Sequence, residues 1–148
     1  RQDARWPKAC EKCHRSFEDQ DTFQVFQDQL YRRLDSGELV AKRFAPAGAL
    51  WFLDGQERRY YEGIFPGGGP DGQFLMARTP GGDWCIDSRA SNCTMKTDKV
   101  HRCWVRHGDP KTGKVTVDKN GNTCQAGGGS IISGGYHGFL RNGEFVPA

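Results

Sequence analysis

Residues 73–87 read Gln73-Phe74-Leu75-Met76-Ala77-Arg78-Thr79-Pro80-Gly81-Gly82-Asp83-Trp84-Cys85-Ile86-Asp87, and this stretch decides the fold class. Two apolar runs flank Pro80-Gly81-Gly82-Asp83, whose residues have turn chemistry. Phe74, Met76, Trp84 and Ile86 fall on alternate positions, as a pleated strand requires. The segment therefore reads as a β-hairpin. Toward the carboxyl end two more follow. Residues 101–107 pair with 114–118 across Gly108-Asp109-Pro110-Lys111-Thr112-Gly113. Ser130-Ile131-Ile132 and Tyr136-His137-Gly138-Phe139-Leu140 lead through Arg141-Asn142-Gly143 to Glu144-Phe145-Val146, with Asn142-Gly143 the strongest hairpin signal in the chain.

Toward the amino end, Ala49-Leu50-Trp51-Phe52-Leu53 predicts a buried strand closed by the turn residues Asp54-Gly55. Gly67-Gly68-Gly69-Pro70-Asp71-Gly72 has too few side chains to pack and reads as a mobile surface loop. Phe23, Phe26, Leu30 and Leu34 recur at helical spacing behind a possible N-cap at Asp21, predicting a helix over 19–34. A competing pattern over 31–40 gives two strands around Asp35-Ser36-Gly37, and a short helix entering a hairpin reconciles the two. The expected fold is α+β and mostly β: one compact domain over 1–148, with one short N-terminal helix, a zinc-knuckle-like segment over 1–17, and a body of short antiparallel hairpins over 18–148.

A chain of 148 residues can bury a core without staples. Its 20 glycines, about twice the usual share, suit a loop-rich globule. Trp6, Trp51, Trp84 and Trp104 supply anchors that disordered chains lack. The 21 basic residues nearly balance 18 acidic ones, which is too mild a surplus to imply nucleic acid. Lys96, Lys99, Arg102, Arg106, Lys111, Lys114 and Lys119 form a basic run that could meet phosphates, but Asp98, Asp109 and Asp118 interrupt it, favouring a solvated face. Without a long apolar run, no membrane partner is expected. Secretion stays open because the sequence starts at Arg1 rather than Met.

Six cysteines admit three disulfides or a metal site. Cys10-Glu11-Lys12-Cys13 has metal-ligand spacing, since a tight turn aims two thiolates at one tetrahedral ion. The complementary pair is expected from Cys93 and Cys103, which bracket a polar loop, with His101 and His14 as substitutes. The predicted ligand set is therefore Cys10, Cys13, Cys93 and Cys103 around structural Zn2+. Cys85 and Cys124 read as small core hydrophobes. His137, between Gly135-Tyr136 and Gly138, together with Cys124 gives a weak nucleophile-and-base pattern in a segment that forms no good helix. The catalytic residues are thus unassigned, and the glycine runs lack the ending and setting of phosphate-binding loops.

The strings Ile86-Asp87-Ser88-Arg89-Ala90-Ser91-Asn92-Cys93-Thr94, His101-Arg102-Cys103-Trp104-Val105-Arg106-His107-Gly108, Val117-Asp118-Lys119-Asn120-Gly121 and Tyr136-His137-Gly138-Phe139-Leu140-Arg141-Asn142-Gly143 resemble a family of small cysteine-containing proteins from bacteriophages and actinobacterial genomes. The likeness extends to the Cys10-x-x-Cys13 region. It implies a phage or prophage setting, hence a host cytoplasm or a virion as the expected location, and no mechanism, and a reducing interior would favour thiolates and metal over disulfides. The leading expectation is a non-enzymatic, zinc-stabilised binding or accessory module of a phage, virion-associated, with a protein partner. The alternatives are a zinc-dependent hydrolase or nuclease acting on a polyanion and a secreted, disulfide-stapled binding domain.

Overall fold

The computed structural model describes residues 8–18, 28–120, 124, 126 and 129–148. Most of the helix expected over 19–34 lies outside the described residues. Where it is described, the chain is a strand instead: β1 (Leu30–Arg32) pairs antiparallel with β2 (Leu39–Ala41), Tyr31 opposite Val40. Turn chemistry decides this competition. Asp35 Oδ1 accepts from the Ser36 amide and from Arg33 Nε, both at 2.9 Å, and Gly37 adopts a φ of +71°. Tyr31 is then turned inward onto Trp51, ring centroids 4.5 Å apart.

The eight remaining strands among the described residues fall on the expected segments. β3 (Leu50–Phe52), β4 (Leu75–Thr79) and β5 (Gly82–Cys85) make a three-stranded antiparallel sheet in that order. Thr79 pairs with Gly82, so the turn is only Pro80-Gly81 and Gly82-Asp83 belong to the strand. β6 (Val105–His107) and β7 (Thr116–Asp118) form the second hairpin, with His107 opposite Thr116. β8 (Ile131–Ser133), β9 (Tyr136–Arg141) and β10 (Glu144–Pro147) complete a five-stranded sheet ordered β10-β9-β7-β6, with β8 on β9. Asn142 and Gly143 both take positive φ at the β9–β10 turn, as a two-residue hairpin demands.

One α-helix is present among the described residues, α1 (Gly55–Ile64), where the sequence reading had only a turn. Its amphipathic signal is short: Tyr61, with Phe65 just beyond the helix, packs on the core. No helix among the described residues is long and apolar enough to cross a membrane.

The alternation on β4 builds the layers. Leu75 and Ala77 face a core shared with Leu50, Trp84, Ile86, Val115, Val117, Ile131 and Leu140, between the two larger sheets. Phe74 and Met76 face the opposite side, with Tyr31, Trp51, Leu53 and Cys85 beneath α1 and the β1–β2 hairpin. Burying each such large side chain contributes about 1.5–3 kcal/mol. The sheets also meet at their turns: a Cβ on Gly81 would lie 2.0 Å from the Ser133 carbonyl oxygen, and one on Gly134 1.9 Å from that of Gly81. Only glycine permits that approach.

Candidate metal centre

Beyond β5 the chain turns polar and irregular, and its turns are closed by backbone bonds. The Cys93 amide donates to Ala90 O at 3.1 Å and the Cys103 amide to Ser88 O at 3.1 Å. The second bond draws residues 88–103 into a closed loop with a cysteine near its middle and another at its end. Cys124 arrives from beyond β7. These three cysteines, with Ala126, form a third apolar cluster, against which Ala90, Met95 and Trp104 pack. Trp104 joins it to the main core by an edge-to-face contact with Trp84, 5.3 Å between centroids, and its indole N–H donates to Ser130 O at 3.2 Å.

The ligand atoms of Cys93, His101, Cys103 and Cys124 all lie within 4.8 Å of one another. Cys124 Sγ is 3.7 Å from Cys93 Sγ and 3.9 Å from Cys103 Sγ, and His101 Nε2 is 3.6 Å from Cys103 Sγ. A tetrahedral zinc with ordinary Zn–S and Zn–N bonds needs sulfur–sulfur edges of about 3.8 Å and sulfur–nitrogen edges of about 3.6 Å. The arrangement could hold a metal ion, and its donor set of three thiols and one imidazole fits zinc. No family model, curated protein or solved structure matches this chain. The geometry itself must carry the functional reading.

Backbone amides prepare the sulfurs for negative charge. Met95 N–H donates to Cys93 Sγ and Ala126 N–H to Cys124 Sγ, each at 3.4 Å and each from two residues onward. Desolvation pushes the Cys124 thiol up, but the Ala126 amide, the Thr94 hydroxyl and amide, and His101 outweigh it and bring the thiol down to about 5. Cys103 is pushed up to about 12, first by desolvation and then by its neighbours Cys93 and Cys124, despite the Ala90 amide. Three thiols packed this closely favour a bound cation, which removes the mutual repulsion of their thiolates.

Of the predicted ligands, Cys93 and Cys103 come together and His101 joins them as the expected substitute. Cys10 and Cys13 do not. Their turn does form: residues 11–13 are a tight turn beside the Ala9–Ser16 bridge. Backbone donors from Cys13 and Lys12 hold the Cys10 thiol below its ordinary value. Yet among the described residues no third metal-ligating side chain joins the pair, so the zinc-knuckle reading of the amino-terminal segment is not supported. The spacing is a local property, and the four-donor group in the body of the chain lies apart from it. Exposed His14 is likewise outside the group.

Cys124 is the residue that sequence reasoning missed, set aside as core. It is indeed 2% exposed, but its burial is among sulfurs. No local signal marks it: the amide that reaches its sulfur comes from Ala126, a residue with no ligand signature. Cys85 behaves as expected of a core thiol, pushed up to about 12 by burial. The imidazole that reaches Cys124 is that of His101, while His137 is exposed on β9. None of the six cysteines, all of them described, is in a disulfide.

A cavity of about 450 Å³ opens beside the cluster, between the Gly67–Gly69 backbone, His101, Arg102, Trp104 and Arg106. Asp87, buried at its floor, accepts from the Leu75 amide at 2.8 Å and from Arg106 Nε at 3.0 Å, and Arg106 also grips Asp71. In the basic run, Arg102 is held by backbone carbonyls and Lys119 by the Cys124 carbonyl. Lys96, Lys99, Lys111 and Lys114 stay exposed.

Proposed function

We propose that this chain is a zinc-stabilised binding module in which Cys93, His101, Cys103 and Cys124 hold one structural zinc. The observation that carries the reading is the closed set of four protein donors within 4.8 Å of one another, three of them buried cysteines. Structural zinc sites are of this kind, whereas catalytic ones keep a coordination position for water. When bound, the metal would cross-link the loop of residues 93–103 to the segment carrying Cys124, ordering a region that has little regular secondary structure. Its role is then to shape a surface for a partner, which we take to be a protein. The resemblance to phage and actinobacterial proteins suggests an accessory or virion-associated setting.

Metal analysis of the full chain purified without added zinc tests this reading, together with thiol titration under denaturing conditions. One zinc per chain and six titratable thiols are expected. Less than one zinc with three disulfides would overturn it in favour of a stapled domain. A shell of three protein donors and a water would favour a hydrolase.

A further inference from the structure

The ligand loop has almost no secondary structure of its own, and two guanidinium groups hold its backbone. Arg89 donates through Nε to His101 O at 3.0 Å, through Nη1 to Lys96 O at 3.1 Å, and through Nη2 to Asp98 O. Arg102 donates through Nη1 to Lys99 O at 3.1 Å and to the same His101 O at 2.9 Å, and through Nη2 to Phe65 O at 2.8 Å and Pro66 O at 2.9 Å. The two forks therefore converge on the carbonyl of the histidine ligand. Arg89 reaches four positions apart from Cys93 and spans the loop toward Cys103, while Arg102 ties it to the chain leaving α1. At that helix end a cation also satisfies outward-pointing carbonyls.

We infer that Arg89 and Arg102 are positioning residues for the metal centre: a carbonyl clamp that fixes the backbone of residues 96–101 so that the His101 imidazole is delivered to the three thiols. The inference rests on the zinc reading above. Only an arginine can serve this way. Its planar fork presents donors on three nitrogens in fixed directions, whereas a lysine keeps the charge but gathers its donors on one nitrogen that cannot span carbonyls so far apart. Fixing a ligand in place before the metal arrives raises affinity in the manner of the outer-shell partners of metal-binding histidines.

The test is metal affinity, by competition with a chelator, for the full-length wild type, Arg89→Lys, Arg102→Lys and, as a control, exposed Arg59→Lys. Thermal stability is measured in parallel with zinc saturating, and the absorption spectrum is recorded with Co2+ in place of zinc. Arg89→Lys is expected to bind one metal about 10–100-fold more weakly, with Arg102→Lys in the same direction and Arg59→Lys unchanged. At saturation the Co2+ spectrum should keep its thiolate signature. Wild-type affinity in both loop variants would overturn the clamp. So would a variant that fails to fold even with zinc saturating, because the arginine would then be holding the body rather than the ligand loop. A wild type that binds no metal would instead sink the zinc reading itself.

Discussion

Removing the carboxylate of Asp87 should cost far more than removing that of Asp71, although both pair with Arg106. Asp87 is 2% exposed and Arg106 8%, whereas Asp71 is 42% exposed. In Asp87→Ala the Leu75 amide, itself fully buried, loses its acceptor and the inner side of the guanidinium loses its counter-charge. Breaking a buried pair in this way costs about 3–5 kcal/mol, a figure that already contains the orphaned donor. Asp71→Ala breaks a half-exposed two-point contact with Arg106 and the acceptor of the Gln73 amide, whose donor water can then reach, for about 1–2 kcal/mol. Urea unfolding at pH 7, followed by tryptophan fluorescence with zinc saturating, gives both numbers. Costs for the two variants within about 1 kcal/mol of each other would refute the reasoning. The same residue sets a pH dependence. Burial pushes the Asp87 carboxyl up, while Arg106 and the Leu75 amide pull it back. The folded state then keeps the proton at a pH where the unfolded chain, with its value of about 4, has released it. Stability from this group is full below that value and is lost as the pH rises through the raised one. Asp87→Asn should flatten that part of the pH–stability curve, and parallel curves for variant and wild type would count against it.

Cys124→Ala should abolish stoichiometric zinc binding, and the double variant Cys10→Ala/Cys13→Ala should keep one zinc per chain; metal analysis after gel filtration decides. Gly81→Ala would drive a methyl group into the Ser133 carbonyl and is expected to cost about 1–3 kcal/mol by chemical denaturation, whereas Gly72→Ala, with nothing within 4 Å of its Cβ position, suffers only its φ of +71°. Chelation of the metal should lower the melting temperature and raise hydrogen exchange over residues 93–103 while leaving β4 and β9 protected, because the sheets have their own cores. Uniform loss of protection would show that the metal holds the whole fold.

The hairpins were legible because their turns are local. Pro80-Gly81 and Asn142-Gly143 state a chain reversal within two residues, and the flanking alternation states which faces are buried. α1 was illegible because Gln56-Glu57-Arg58-Arg59 carries no apolar stripe and a single helical residue, Tyr61, reaches the core. Leu30 and Leu34 sit at a spacing that a helix and a hairpin arm can both accommodate, and only the Asp35 turn separates the two. The candidate metal centre was half legible for a similar reason. His101-Arg102-Cys103 places two donors two positions apart, and Cys93 brackets the same loop. Cys124 is 21 residues beyond Cys103, and nothing in its own neighbourhood says which distant sulfurs it meets. Cys10 and Cys13 gained weight from a spacing that guarantees a turn but not a third ligand.

Zinc-edge X-ray absorption of the purified full chain tests the central claim most directly, because it counts sulfur and nitrogen neighbours. The proposed centre requires three sulfurs at about 2.3 Å and one nitrogen at about 2.0–2.1 Å. A shell of four sulfurs would contradict it, by bringing Cys10 or Cys13 into the site in place of His101.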